Sequence, residues 1–332
     1  MSGLLRLEHL QVRLPIDGEP RTVVHDVSLD VSPGEAVAIV GESGSGKSTT
    51  LRAVARLLPP GSEVRGEVLF SGESVTAMGG RALRQLRTGG IGMVFQDARA
   101  NMNPVRRVGD FLVEALVTNL GQSREEASRR VASLLQEVGI ADPERRLRQY
   151  PHELSGGLLQ RVMIAAVVAM EPRLILADEP TSALDVTTQA EVLALLDGLR
   201  RSRGMALLLV THDLELAAAV CDRTAVMYAG SLVEEQRSAL VHEAPLHPYT
   251  AGLIESSPHS AHGARRLPVI PGRPLSGLEV GVGCPFADRC AHVRAACRVA
   301  TPPLHAVGAG SVACLRAEEL LASGLEGVAN GC

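Results

Sequence analysis

A glycine-rich segment between an apolar run and an amphipathic stretch constrains the fold of this chain more than any other feature. Ala36–Val40 is a short apolar run without alternation, as in a strand that is covered on both faces. Residues 41–48 fit the pattern G-x-x-x-x-G-K-[ST]. Apolar residues then recur at helical spacing, at Leu51, Val54, Ala55 and Leu58. The Pro-Pro-Gly run at 59–61 predicts where this helix stops. Strand, glycine turn and helix in this order predict an α/β fold with parallel strands.

The glycine-rich segment has the composition of a loop that cradles phosphate. Glycines let the backbone bend so that successive N–H groups point inward, and a helix N-terminus adds a favourable dipole. Lys47 is the only lysine of the chain, so a compact ammonium stands here although every other cationic side chain is arginine. It would contact the β- and γ-phosphates, and the Ser48 hydroxyl would bind Mg²⁺. The predicted nucleotide-binding residues are Gly41, Glu42, Ser43, Gly44, Ser45, Gly46, Lys47, Ser48 and Thr49.

Two consecutive acids follow a second buried strand. Residues 174–177 are apolar, and Asp178 and Glu179 come directly after them. Asp178 would hold Mg²⁺, and Glu179 is the candidate base that orients and polarises an attacking water. A solvated acidic pair at a strand end is the simpler explanation, but the phosphate-binding pattern upstream favours the catalytic one.

The remaining periodicity predicts further elements. Residues 91–95 and 206–210 have the character of buried strands, and residues 97–160 are largely helical. Ser123 and Glu126 form a capping-box pattern, followed by an apolar face that ends at Gly139. A helix over about residues 188–203 has Asp185 as its cap and Gly204 as its stop. Residues 242–274 are rich in Pro, Gly, His and Ser and are interpreted as a connecting segment.

Composition excludes several classes of protein. The net charge is −4, whereas a general nucleic-acid binder needs a basic surface. Aromatic residues make up 2% and Trp is absent, which disfavours a stacking platform for single strands. No apolar run approaches the ~20 residues of a membrane helix, and no secretory signal is visible. We expect a cytosolic protein that acts at a membrane only through partners.

Four cysteines are concentrated near the end of the chain: Cys284, Cys290, Cys297 and Cys314. Four thiolates suit a [4Fe–4S] cluster or tetrahedral Zn²⁺, and free thiols are the third alternative. The spacing lacks the paired C-x₂₋₄-C knuckles of common zinc sites, which favours the iron–sulfur cluster. Cys221 is expected to be a small buried apolar residue and Cys332 a free terminal thiol.

Short motifs complete an ordered set around the phosphate-binding pattern. The run L-S-G-G-L at residues 154–158 precedes the acidic pair, and Gln96 follows the strand at 91–95. The run S-A-L-D ends at Asp185, and His212 follows the strand at 206–210. With this set the chain resembles the nucleotide-binding subunits of ABC transporters, where these are the signature, Q-loop, D-loop and switch histidine.

Further runs resemble one branch of that family, the dipeptide/oligopeptide and nickel importers. They are F-Q-D at 95–97, M-N-P at 102–104, Y-P-H-E-L-S at 150–155, H-P-Y-T at 247–250 and the late cysteines. This branch resemblance also supports the iron–sulfur alternative for the four thiols.

The resemblance implies a fold and a layout. The fold is an α/β P-loop NTPase core of the ABC ATPase type, with an inserted helical subdomain and a small C-terminal cysteine-cluster appendage. The core would comprise residues 1–96 and 161–235, the helical subdomain with the signature residues 97–160, and the extension with the metal site residues 236–332. No aromatic residue precedes Phe70, so an aliphatic contact from Val23 or Ile16 is expected at the adenine.

The resemblance also implies roles for individual residues. Two ATPase domains would pair head to tail, so that Ser155, Gly156 and Gly157 face the ATP of the neighbour. His212 would contact the γ-phosphate and help to hold Glu179 and the water. Gln96 would reach the metal and the water and report the nucleotide state to the helical subdomain.

The implied assembly is an importer at the cytoplasmic face of the cell membrane, to which the chain is peripheral. Its partners would be a second ATPase subunit, non-identical in the favoured version, two transmembrane permease subunits and an extracytoplasmic solute-binding protein. Peptide is the first choice of solute and nickel the second. A non-transport ABC ATPase is the other alternative; its translation-type members usually carry two cassettes and its repair-type members a long coiled-coil insertion.

Overall fold

The structure is a computed structural model that describes residues 3–257 and 268–323. Cys332, which the sequence predicts to be a free thiol, and most of the second half of the segment 242–274 lie outside the described residues.

The strands are β1 to β12, in chain order Leu5–Ile16, Glu19–Val31, Ala36–Val40, Glu63–Phe70, Glu73–Ser74, Ile91–Val94, Leu174–Asp178, Ala206–Thr211, Arg223–Tyr228, Ser231–Arg237, His305–Val307 and Gly310–Val312. The α-helices are α1 to α12, in chain order Lys47–Val54, Gly80–Gln85, Val108–Leu120, Arg124–Glu137, Pro143–Leu147, Gly156–Val168, Val186–Arg203, Leu214–Val220, Ser238–Val241, Pro248–Glu255, Ala295–Val299 and Ala317–Ser323.

One compact unit comprises the described residues within Met1–Asp30, Ala36–Thr76 and Val210–Cys332. Its sheet has the strand order β5-β4-β1-β2-β10-β9-β3, and the hairpin of β11 and β12 extends it from β10. β1 and β4 pair antiparallel, whereas β3 and β9 pair parallel. All five residues of β3 are buried, as the uninterrupted apolar run predicts. The phosphate-binding segment therefore begins at the carboxyl end of a fully covered strand.

The second compact unit comprises Val31–Glu35 and Ala77–Leu209. It contains the parallel pair of β6 and β7, with β8 next to β7, and the helices α2 to α7. Ser123 caps α4 in a complete capping box with Glu126, and the predicted apolar face of that helix is buried. Asp185 caps α7, and Gly204 ends it in the left-handed conformation. These caps confirm the predicted helix boundaries.

Two elements differ from the sequence prediction. Helix α1 ends at Val54, before Leu58, because Arg56 turns the chain with a φ of 51°. The segment 242–274, interpreted as a connection, contains helix α10, which starts at Pro248 and is capped by the ring nitrogen of His247. Cys221 is buried at the end of α8, as predicted. Among the residues that the structure describes, no helix is long and apolar enough to cross a membrane.

Candidate functional site

The turn between β3 and α1 needs glycine at defined places. Gly44 and Gly46 have φ values of 80° and 100°, the left-handed region that side chains with a Cβ rarely adopt. A Cβ on Gly41 would lie 2.1 Å from the backbone oxygen of Met227, so only glycine fits there. Helix α1 has no side-chain cap, and the N-terminus of a helix is a favourable position for an anion. The backbone is thus shaped as the phosphate-binding pattern predicts.

Lys47 lies over the same loop. Its side chain is buried, and Nζ donates to the backbone oxygens of Gly41 and Glu42 at 2.7 and 2.9 Å. Ser45 Oγ is also buried and has no hydrogen-bond partner within the described part of the chain. A buried hydroxyl without a partner costs free energy unless a ligand oxygen satisfies it. The loop therefore combines a held ammonium with a polar atom that a phosphate oxygen would satisfy.

The acidic pair lies in the second unit, at the end of β7. Asp178 is the last residue of the strand and is 2% exposed. Glu179 follows with a φ of 42°, a conformation that is strained for glutamate. The backbone oxygen of Glu179 accepts hydrogen bonds from both the N–H and the hydroxyl of Ser182. The turn at the strand end thus holds Glu179 in a conformation that an ordinary extension of the strand would not give.

The predicted signature and D-loop lie together in the second unit. Ser155 caps α6 by accepting from the N–H of Leu158 at 3.4 Å, and Gly156 and Gly157 form the first turn. An open groove of about 340 Å³ is lined by all three residues and by Leu184 and Asp185. Asp185 accepts from Thr188, whose hydrogen bonds lower the pKa of the Asp185 carboxyl. A hydroxyl and a helix N-terminus at one groove are a suitable arrangement for a phosphate presented from outside.

The remaining predicted residues occupy exposed positions after strands. Gln96 belongs to the second unit and lies two residues after β6. His212 belongs to the first unit and directly follows β8. The roles of these side chains toward a nucleotide remain predictions from the sequence.

Sequence reasoning missed a set of contacts on Glu42 within the first unit. The backbone N–H of Glu42 donates to Tyr249 Oη at 2.9 Å. Arg289 donates to both oxygens of its carboxylate, at 2.6 and 3.1 Å. Arg289 is 247 positions away in the chain, and no local pattern signals such a pairing.

The four late cysteines line one small cavity of the first unit. Burial, together with a smaller effect of the neighbouring thiols, raises the pKa of Cys284 to about 12 and that of Cys290 to about 11. The N–H of Cys284 donates to the backbone oxygen of Cys297 at 2.7 Å, which holds these two cysteines together. The four thiols thus surround one cavity.

The predicted metal centre itself is not supported by the geometry. Throughout residues 3–257 and 268–323, no three His, Cys, Asp or Glu side chains are arranged so that they could hold a metal ion. None of the five described cysteines forms a disulfide bond. The thiol donor set suits a soft metal, but the side chains are not placed as ligands of one.

Two protein families match the chain. The family described as ABC transporter matches residues 24–182. The family described as oligopeptide/dipeptide transporter, C-terminal region, matches residues 233–297. The second match includes three of the four clustered cysteines.

Curated relatives cover nearly the whole chain. The oligopeptide transport ATP-binding protein OppD of Salmonella typhimurium is 41% identical over 96% of this chain and 95% of its own length. The dipeptide transport ATP-binding protein DppD of Haemophilus influenzae is 41% identical over 94% of this chain and 95% of its own length. OppD of Mycobacterium tuberculosis is 44% identical, and this chain spans about half of that relative, 52% of its length.

Solved structures are similar in fold. The dimeric structure of a post-hydrolysis state of the ATP-binding cassette MJ0796, bound to ADP and Pi, has a TM-score of 0.63 and 30% identity. It matches 70% of this chain and 98% of its own. The structure of cbiO1 from Clostridium perfringens, part of the transporter complex cbiONQ, has the same TM-score with 27% identity, over 74% of this chain and 92% of its own.

Proposed function

The chain belongs to the ABC transporter family of ATP-binding proteins, and we propose that it binds and hydrolyses ATP to energise the import of dipeptides or oligopeptides. The observation that carries the ATP part is the phosphate loop, where Gly41 has no room for a Cβ and Lys47 is held over the curved backbone. The peptide part is supported by the C-terminal match and by the named relatives.

The residues would divide the chemistry as follows. Residues 41–49 bind the phosphates, with Lys47 neutralising charge and Ser48 and Asp178 holding Mg²⁺, which polarises the γ-phosphate when bound. Glu179 orients the attacking water and accepts its proton, His212 contacts the γ-phosphate, and Gln96 reaches the metal and the water.

A second ATPase subunit would complete the site. Ser155 and the N–H groups of Gly156 and Gly157 suit a γ-phosphate supplied by the neighbour, because they lie at the N-terminus of α6 beside an open groove. The similar cassette MJ0796 has a dimeric structure, which supports this pairing. ATP would then bridge two subunits, and hydrolysis would remove the bridge.

We propose the remaining partners by the same reasoning. They are two transmembrane permease subunits and an extracytoplasmic solute-binding protein, with the chain peripheral at the cytoplasmic face. The helical segment 97–160 is the proposed subdomain that meets the permease, and residues 236–332 are the proposed C-terminal extension.

Reconstitution tests this function. The chain, its second ATPase and its permease partners are placed in vesicles with the binding protein, and uptake of labelled peptides and of Ni²⁺ is measured with and without ATP. We expect ATP-dependent peptide uptake that is lost with Lys47→Ala. Nickel uptake without peptide uptake would show that the transported solute is nickel and not peptide. ATP turnover that drives no uptake would contradict the proposal.

We further propose that the four clustered thiols form a soft-metal site, with [4Fe–4S] favoured over zinc. Their convergence on one cavity supports it, although ligation requires the side chains to rearrange from the positions described above. Anaerobic purification followed by iron, sulfide and zinc analysis tests it. About four irons with absorbance near 400 nm support the cluster, bound zinc supports the alternative, and metal-free thiols contradict both.

A further inference from the structure

The phosphate loop is held from outside by the C-terminal extension. Glu42 is the second residue of the loop, and its carboxylate accepts two hydrogen bonds from the guanidinium of Arg289. Paired, charge-assisted hydrogen bonds of this kind fix orientation as well as distance. The backbone N–H of the same residue donates to Tyr249 Oη, so Glu42 is fixed at both its side chain and its main chain.

Arg289 is itself immobilised. Its side chain is only 6% exposed, and Nε donates to the backbone oxygen of Pro271 at 2.9 Å. The guanidinium lies over the rings of Tyr228 and Phe286, at 5.7 and 5.9 Å from their centres. An arginine with this many partners acts as a fixed support for Glu42 rather than as a mobile surface charge.

The support beneath the loop is an aromatic cluster consisting of Tyr228, Tyr249 and Phe286. The three side chains are fully buried, and their ring centres are 4.7 to 5.3 Å apart. The chain has only seven Phe and Tyr residues, so nearly half of them lie here. Cys284 and Cys290 pack against the same cluster, and Arg289 directly precedes Cys290. The segment that contains Cys284 and Cys290 and the phosphate loop thus contact the same aromatic cluster.

Lys47 connects the contact between Arg289 and Glu42 to the nucleotide-binding position. Lys47 Nζ donates to the backbone oxygen of Glu42, the residue that Arg289 and Tyr249 hold. A displaced Glu42 would move that oxygen and with it the position of the ammonium that faces the phosphates. Small displacements in a phosphate-binding loop are costly because several hydrogen bonds depend on one backbone path.

We propose that Arg289 is a positioning residue for ATP, acting through Glu42, so that the C-terminal extension sets the nucleotide affinity of the phosphate loop. This inference rests on the proposed binding of ATP at that loop. It assigns to the extension a role in the ATPase site itself, in addition to any metal that its cysteines hold.

Equilibrium titration of the full-length chain with MgATP tests the inference. Arg289→Met and Arg289→Lys remove the paired hydrogen bonds, and the lysine variant keeps the charge. We expect the Kd for MgATP to rise about tenfold with Arg289→Met and less with Arg289→Lys, at an unchanged stoichiometry of binding. A merely structural role would lower the stoichiometry, since fewer molecules would be folded, and leave the Kd of the folded ones unchanged.

Arg273→Met is the matched control. Arg273 also forms a paired contact with a carboxylate, but it is exposed, and its partner Glu279 is not a residue of the phosphate loop. We expect its Kd to equal that of the wild type. If the Arg289 variants do not fold, Glu42→Ala tests the same contact from the loop side.

The outcomes are distinguishable. A wild-type chain that does not bind MgATP would refute the proposed function. A wild-type chain that binds, together with unchanged Kd values in the Arg289 variants, or in Glu42→Ala where those do not fold, would overturn the inference alone. An equal rise in Kd with Arg273→Met would also overturn it, because the effect would then belong to the extension in general.

Discussion

At the scale of single residues, Glu179 shows how backbone conformation singles out a side chain. β7 delivers two acids in succession, but only the second has a left-handed φ, 42°. Strain of this kind persists where the surrounding structure over-determines it, and it is common at functional sites. Asp178, in the strand and buried, suits a metal ligand, whereas Glu179, in the turn and half-buried, suits a base that meets water.

We predict that Glu179→Gln retains MgATP binding and loses ATP turnover by at least about 100-fold, because the amide cannot accept a proton from water. Turnover is measured in the assembled complex and binding by equilibrium titration. Glu171→Gln is the control, since Glu171 also has a positive φ in the second unit but pairs with Arg130. Normal turnover with Glu179→Gln would show that the base is another group.

At the scale of elements, helix α10 joins a buried histidine to the phosphate loop. The backbone N–H of Tyr249 donates to His247 Nδ1 at 3.0 Å. The hydroxyl of Tyr249 in turn accepts from the backbone N–H of Glu42. Burial lowers the pKa of His247 to about 3 and raises the pKa of Glu234, whose carboxylate accepts a hydrogen bond from the backbone N–H of His247. The cap of this helix therefore depends on a neutral imidazole.

The pH dependence of stability tests this arrangement. The pKa of His247 is lower in the folded protein than in the unfolded chain. Its contribution to the free energy of unfolding is therefore complete above about pH 6.5 and is lost as the pH falls toward about 3, by up to about 1.4 kcal/mol per pH unit. Asn also caps helices, so His247→Asn keeps a capping side chain that does not titrate. We predict that this variant loses the fall in the free energy of unfolding between pH 6.5 and 5. Titration of Glu234 affects the variant and the wild type alike.

Denaturant unfolding at several pH values measures the slope. His305→Asn, a change at an exposed histidine, is the control and should keep the wild-type pH dependence. An unchanged slope in His247→Asn would show that His247 is not the group that titrates.

Elements whose signals are local were predictable. The strand Ala36–Val40, the capping box of Ser123 and the cap and stop of α7 follow from neighbouring residues, and the structure confirms them. Helix α10 was missed because Pro and His suggested a connection, although Pro at the first position and a capping side chain also start a helix. The pairing of Arg289 with Glu42 depends on tertiary packing, which periodicity does not encode.

At the scale of the whole molecule, the predicted site residues are divided between the two compact units. The phosphate loop and His212 belong to the first compact unit, and the acidic pair, Gln96 and the signature to the second. The sequence predicted the family, and the relatives confirm it. It did not predict that residues 268–323 belong to the same compact unit as the phosphate loop.

The central claim is that one buried ammonium in this loop holds a nucleoside triphosphate, and Lys47→Arg tests it most directly. The substitution keeps the charge but replaces a compact group, enclosed by the oxygens of Gly41 and Glu42, with a larger planar one. Equilibrium titration of the full-length chain with MgATP should show binding by the wild type and a Kd at least about 100-fold higher with Lys47→Arg. Equal affinity of the two proteins, or no binding by the wild type, would contradict the account.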